Sequence, residues 1–316
     1  MTAGRAEVAD DGTPAHVTGG DGLRSRVAGQ GALLAVGLGA SQALSFARNA
    51  LIAHMLSKGD FGIAATLTLM LQMVDALSDL GVDRLLVQAR DGDEPQLQAV
   101  AQALLVARGV VTGLALLIVA PTITRFFRLD DALWAFQAIA LVPVVKGFQH
   151  LDQRRDQRRL DNRGVMLIEV VPQAAVLALT LPVLAFVPGY AAAVWLALAQ
   201  AILAVATSHV LARRRYRLAL DGANVRRFLA FGWPILASAL PLAAIYQGDR
   251  IIIGRLGGME QLAAYSTAFM VTMVPGLVAA KIANALMLPL LAQTCRAGAP
   301  MLPRWALPWF RRSNSC

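Results

Sequence analysis

Charge is what this sequence has least of. Asp, Glu, Lys and Arg make up 16% of its 316 residues, whereas globular chains carry about a quarter. Together with a hydrophobic share of 57%, the shortage excludes both a soluble enzyme and a disordered chain. Cysteine is almost missing: Cys295 and Cys316 lie too close to the C-terminus to staple a fold. No GxSxG elbow, Walker loop or HExxH pair occurs, so nothing marks a catalytic residue, a metal ligand or a cofactor. The first 28 residues lack a short apolar core followed by a small-residue cleavage site. No cleaved signal peptide is therefore expected, and the first apolar helix should act as the insertion signal.

What the sequence has instead is long apolar runs. From Val170 to Ala212 there are 43 residues without Asp, Glu, Lys or Arg. As one helix this run would rise about 65 Å, roughly twice a ~30 Å hydrocarbon core. It must be two spans, turned at Pro188-Gly189. Barrel strands are short and alternating, so the runs predict an all-α polytopic helix bundle. Eight spans are expected, near residues 29–56, 61–81, 98–120, 132–149, 165–187, 190–212, 228–256 and 261–290. The division that follows is a polar tail (1–28), a first six-helix lobe (29–212), a basic linker (213–227), the first two helices of a second lobe (228–293) and a tail (294–316).

The excess of +9 charges would suggest nucleic acid in a soluble protein, but its location excludes that partner. With the N-terminus cytoplasmic, twenty of the 29 Lys and Arg fall in cytoplasmic segments and only Lys58, Arg125 and Arg128 on the other side. The positive-inside rule then orients the chain in an inner membrane. The RRDQRR and RRRYR runs (154–159 and 213–217) would lie against anionic lipid headgroups, or meet a specific partner.

Polar groups inside spans are costly and normally face a bundle interior or a watery cavity. Ser41, Ser45, Arg48 and Asn49 share one face of the first span, and Thr68, Gln72, Asp75 and Asp79 one face of the second. Two such stripes on adjacent helices predict a hydrated lumen between them. Arg108, Glu169, Asp249, Arg250, Arg255 and Lys281 are further candidates, although Asp79, Arg108, Glu169 and Lys281 lie close enough to span ends to snorkel instead. His54 and His209 have no ligand partners at metal-binding spacing, and His150, at the start of an arginine-rich loop, is expected to be solvated. Gly109 and Gly113 form a GxxxG, the mark of close helix packing. The outer loops, Ser57 to Asp60, Pro121 to Asp131 and Pro188-Gly189, are too short for a water-exposed active site.

The chain also resembles itself weakly. ARNALIAHMLSKGDFGIAA (47–65) and GDRIIIGRLGGMEQLAAYSTA (248–268) share a polar start, an apolar half-helix, a small-residue turn and a new helix. Internal repeats of this kind are common in transporters. Four segments, LSKGDFGIAA (56–65), LSDLGVDRLLVQ (77–88), FGWPILASAL (231–240) and DRIIIGRLGGMEQLAAYSTA (249–268), resemble the Wzx or PST type of polysaccharide flippase. That family belongs to the superfamily of multidrug, oligosaccharidyl-lipid and polysaccharide exporters. The resemblance implies two six-helix lobes, often with two extra helices, around a cationic cavity. It implies transport of a polyprenyl-pyrophosphate-linked oligosaccharide for exopolysaccharide, capsule or O-antigen assembly, without covalent chemistry, beside membrane lipids and other polysaccharide assembly proteins.

On that reading Arg48, Arg250 and Arg255 would hold the pyrophosphate, because guanidinium groups bind phosphate oxygens bidentately. Ser45, Asn49, Gln72, Asp75, Asp79 and Asp249 would line the lumen or carry a coupling proton. Two alternatives stand beside it: a multidrug-type exporter of the same superfamily, and a membrane polymerase or ligase, which the short outer loops disfavour. Eight spans fall short of two lobes, and the Pro- and Arg-rich stretch after Gln293 cannot form another. The expectation is therefore a truncated or frame-shifted chain.

Overall fold

The computed structural model describes residues 19–158 and 161–272, with side chains from residue 36 onward. Every regular element among these residues is helical. The order is α1 (Gly19–Met55), α2 (Lys58–Leu77), α3 (Val82–Gln88), α4 (Pro95–Phe127), α5 (Leu133–Ile139), α6 (Leu141–Gly147), α7 (Asp152–Arg158), α8 (Arg163–Phe186), α9 (Ala191–Val210), α10 (Gly222–Leu256) and α11 (258–272).

Five of these helices, α2, α4, α8, α9 and α10, are long and apolar enough to cross a membrane, and the bent stretch from Asp130 to Arg158 makes a sixth if taken as one span. The chain is a multi-pass membrane protein. α1 has the length, about 55 Å at 1.5 Å per residue, but Gln42, Arg48 and Asn49 dilute its apolar character and it is not among the five. Most of the expected eighth span, 261–290, lies outside the described residues.

Local chemistry explains the breaks. Ser57 caps α2, its Oγ accepting from the Asp60 amide at 3.1 Å and donating to the Asp60 carboxylate at 2.6 Å. The residues Lys58 to Asp60, expected as loop, thus form the first turn of a helix. Residues 121–127, also expected as loop, continue α4 past Pro121 to Phe127. Proline in a helix removes one bond without forcing a stop where the membrane environment offers no better partner. Pro143 has no N–H to give to the Ile139 carbonyl, and at Ala140, between α5 and α6, the amide bonds to Gln137 in a tighter turn while the chain keeps its helical course. The 55° bend of this stretch comes after Gly147, before Asp152.

α1 packs along α8, α8 along α9, α4 along α6, and α10 along α2 and α4. One buried cluster joins Leu69, Leu116, Phe136 and Val194 from α2, α4, α5 and α9. A second, with Leu86, Val100, Leu151 and Phe228, seals the end where the arginines gather, here the basic end. The outward faces stay apolar: Ile118, Phe186 and Trp233 are 76%, 86% and 70% exposed, as expected of a surface wetted by lipid. The weak repeat is visible as well, since α1–α2 and α10–α11 are both long helices joined to the next by a two- or one-residue turn.

Candidate functional site

The two polar stripes do not face each other. The α1 stripe turns to α8 and α9, where the Arg48 guanidinium donates to Gln173 Oε1 at 3.4 Å and, more closely, to Gln200 Oε1. Ser41 on the same face is buried. The α2 stripe turns to α4, α6 and α10. Asp75 accepts from Lys146 Nζ at 2.8 Å and lies 3.6 Å from the Arg108 guanidinium, whose Nε donates to Ser78 Oγ at 3.1 Å. Amphipathic spacing fixes which residues share a face, but helix order in space decides what that face meets.

These groups line a cavity of about 280 Å³ between α2, α4, α6, α8 and α9, with Asp75, Arg108, Lys146, Glu169 and Gln200 on its walls. A wider hollow of about 590 Å³ adjoins it along α10, shares Asp75 and Arg108, and adds Gln72, Asp79 and Gln247. Gln247 Nε2 donates to Gln72 Oε1 at 3.0 Å across α10 and α2. Asp79 accepts from the Gly81 amide at 2.9 Å and meets Arg84 at 3.4 Å, so it is tied to the turn before α3.

Glycines set the level of the cations. A Cβ at Gly109 would stand 2.5 Å from the Pro143 carbonyl oxygen, one at Gly113 2.8 Å from that of Ala140, and one at Gly147 2.9 Å from that of Leu105. Backbones this close are possible only without side chains. Arg108 and Lys146, each next to one of these glycines, are thereby brought to the same carboxylate. The GxxxG spacing predicts the packing and not this consequence of it.

Arg250 and Asp249 sit toward α11. The Arg250 guanidinium lies 4.2 Å over the Phe269 ring and donates to Gln247 Oε1 at 3.4 Å, while Asp249 accepts from the Tyr265 hydroxyl. Arg255 stacks 5.5 Å from the Phe126 ring, at the end of α4 remote from the basic end. None of Arg48, Arg250 and Arg255 is among the residues lining the two hollows. Ser45 and Asn49 are half-buried on α1.

The sequence passes over Lys146, which makes a 2.8 Å ion pair in the cavity, and over Gln173 and Gln200, which hold Arg48. Lys146 had a signal, a charge in mid-span between Pro143 and Gly147. The glutamines had none, because a lone amide in an apolar helix does not show what it will meet. His150 is a correction: it is 1% exposed, not solvated. Its Nδ1 accepts from the Asp152 amide at 3.0 Å, its Nε2 donates to the Arg214 carbonyl at 3.1 Å, and its ring meets those of His209 and Tyr216. Among the described residues no three His, Cys or carboxylate side chains gather as a metal site would require.

Two cations thus share one carboxylate on the wall of a cavity inside helices of membrane length. A family profile described as polysaccharide biosynthesis protein matches residues 51–300, which include all four segments that carry the flippase resemblance. The chain belongs to the polysaccharide biosynthesis protein family. No curated protein and no solved structure matches it. Membership places the cavity in a protein of polysaccharide biosynthesis and is consistent with the Wzx-type exporters.

Proposed function

We propose that this protein moves a polyprenyl-pyrophosphate-linked oligosaccharide across the inner membrane, with the basic end in the cytoplasm. The observation that carries the reading is the Asp75 carboxylate shared by Lys146 and Arg108 on the wall of a cavity inside the membrane-length bundle. A single carboxylate between two cations leaves donor capacity unused. Phosphate oxygens entering the cavity take over Lys146 and Arg108, and Asp75 returns to them when the cargo leaves. The empty cavity is thereby kept from holding uncompensated charge, which would be costly inside a membrane. Arg48, held by Gln173 and by Gln200 of the cavity wall rather than by a carboxylate, and Arg250 lie outside the hollows and become phosphate ligands on this reading only as the helices rock. Transport is a rocking of helices around the site, and no covalent bond changes. The orientation rests on the twenty-to-three distribution of Lys and Arg.

The test is complementation of a flippase-deficient strain by Lys146→Met, Arg108→Gln and Arg48→Gln variants, with membrane abundance followed in parallel. Loss of one charge-assisted contact should weaken cargo binding about ten- to a hundredfold at unchanged abundance. Full polysaccharide export by both Lys146→Met and Arg108→Gln sinks the assignment. Reporter fusions in the 150–162 and 213–221 segments should read cytoplasmic.

A further inference from the structure

The segment between α9 and α10, residues 211–221, has no regular structure, yet it is held in place. The Asp152 carboxylate accepts the amides of Arg213 and Arg214 at 2.8 and 3.1 Å, the Arg217 amide donates to Gln102 Oε1 at 3.3 Å, and the Ala219 amide to the Ala99 carbonyl at 3.3 Å. Pinned and extended, the chain alternates its side chains. Arg214 and Tyr216 turn inward, whereas Arg213, Arg215 and Arg217 stand exposed.

Between this segment and the first two turns of α4 lies a hollow of about 270 Å³, lined by Pro95, Gln98, Gln102, Arg214, Arg215 and Arg217. Arg214 is committed to the Asp93 carbonyl at 2.8 Å and to Gln98 Oε1 at 3.4 Å. No carboxylate pairs with Arg215 or Arg217 among the described residues. α4 begins beneath them with Pro95 at its first position and lends Gln98 and Gln102 to the wall of the hollow. The next outward residues are apolar: Leu218 is 53% and Leu220 86% exposed. Two cations without carboxylates over a hollow, with two bare leucines beside them, offer a lipid both kinds of contact it needs, charge for a phosphate and apolar surface for acyl chains.

We propose that this hollow is a binding site for the phosphate of an anionic phospholipid, with Arg215 and Arg217 as its ligands and Leu218 and Leu220 against the acyl chains. The site is separate from the transport cavity and does not depend on the cargo assigned to it. Because the segment joins α9 to α10, an occupied site ties that joint to the membrane surface.

The test is native mass spectrometry of the detergent-purified full chain titrated with phosphatidylglycerol, phosphatidylcholine and inorganic phosphate. The variants are Arg215→Gln/Arg217→Gln, Leu218→Ser/Leu220→Ser and, as a charge control on the same end, the exposed Arg90→Gln. Phosphatidylglycerol should be retained at least tenfold better than phosphatidylcholine, and the double arginine variant should lose about tenfold or more in affinity. The leucine variant should lose lipid affinity without changing the response to inorganic phosphate. If the double arginine variant fails to accumulate, Arg215→Lys/Arg217→Lys carries the test, with a partial loss expected because lysine keeps the charge and not the fork. Equal retention by wild type and the arginine variant, or an equal loss in Arg90→Gln, overturns the proposal. Inorganic phosphate that binds as tightly as the lipid and displaces it would assign the hollow to free phosphate and overturn the proposal likewise.

Discussion

Arginine serves two opposite ends in this molecule. At the basic end several cations, Arg215 and Arg217 not among them, are spent on fixed partners. The Arg158 guanidinium donates to the carbonyls of Leu86 and Val87 at 2.8 and 3.1 Å, more closely to that of Ala89, and to that of Arg90 at 3.1 Å. It closes the C-terminal end of α3, whose last carbonyls have no helical partner. Arg154 reaches Asp83 at 2.8 Å, and Arg227 forks onto Asp91 at 2.5 and 2.8 Å. In the cavity Lys146 and Arg108 divide one carboxylate. The difference teaches that basic residues counted together as an orientation signal do separate work. Arg158, with backbone partners, closes a helix end, whereas Lys146 and Arg108 share a single carboxylate on a cavity wall.

Arg158→Ala should break this contrast most. It strips the donors from carbonyls at the end of α3 and should cost about 3 kcal/mol, read as a lower thermal midpoint in detergent and reduced membrane abundance. Lys146→Met is expected to show the reverse, full abundance and failed export. An Arg158→Ala protein with normal stability and no export would mean that the two regions are not divided as described.

The next effect is on pH. Burial pushes the His150 imidazole below its ordinary value of 6.5, against the raising influence of Asp152. For Asp152 burial pulls upward, but the Arg213 and Arg214 amides, Arg155 and His150 together hold its carboxyl below the usual 3.8. A base whose folded pKa is depressed leaves the unfolded chain binding more protons, so stability is present above pH 6.5 and falls as the pH drops below it. The Asp152 contribution has the same sign but begins only below its ordinary range. Between pH 6.5 and 5 the amide hydrogens of segment 211–221 should therefore progressively lose protection, measured against the intrinsic exchange rate at each pH. His150→Asn should start from a lower protection and lack that slope; an unchanged slope would show that His209 or another group is responsible. Smallest of all, Arg227→Ala should cost under about 1 kcal/mol, because the pair with Asp91 is solvent-exposed. A larger loss would mean that the α10 start depends on it.

How much of this was legible in the sequence follows from what periodicity can carry. The long runs without charge, the turn at Pro188-Gly189, the faces shared by Ser41 with Arg48 and by Gln72 with Asp75, and the GxxxG at Gly109 are all one-dimensional facts, set by a 3.6-residue period and by the cost of charge in lipid. So was the family, because its four segments lie in order along the chain. Only the tertiary structure decided that Arg48 meets Gln173 and Gln200 while Asp75 meets Arg108 and Lys146. It also decided that His150 is buried under Tyr216 and Arg214 rather than solvated, and that α4 runs on through Pro121 while the next stretch bends between Gly147 and Asp152. The physical reason is the same each time. A polar side chain in an apolar helix must find a partner, and the sequence states the need, but which helix stands opposite depends on how close two backbones come, a property of the assembled bundle.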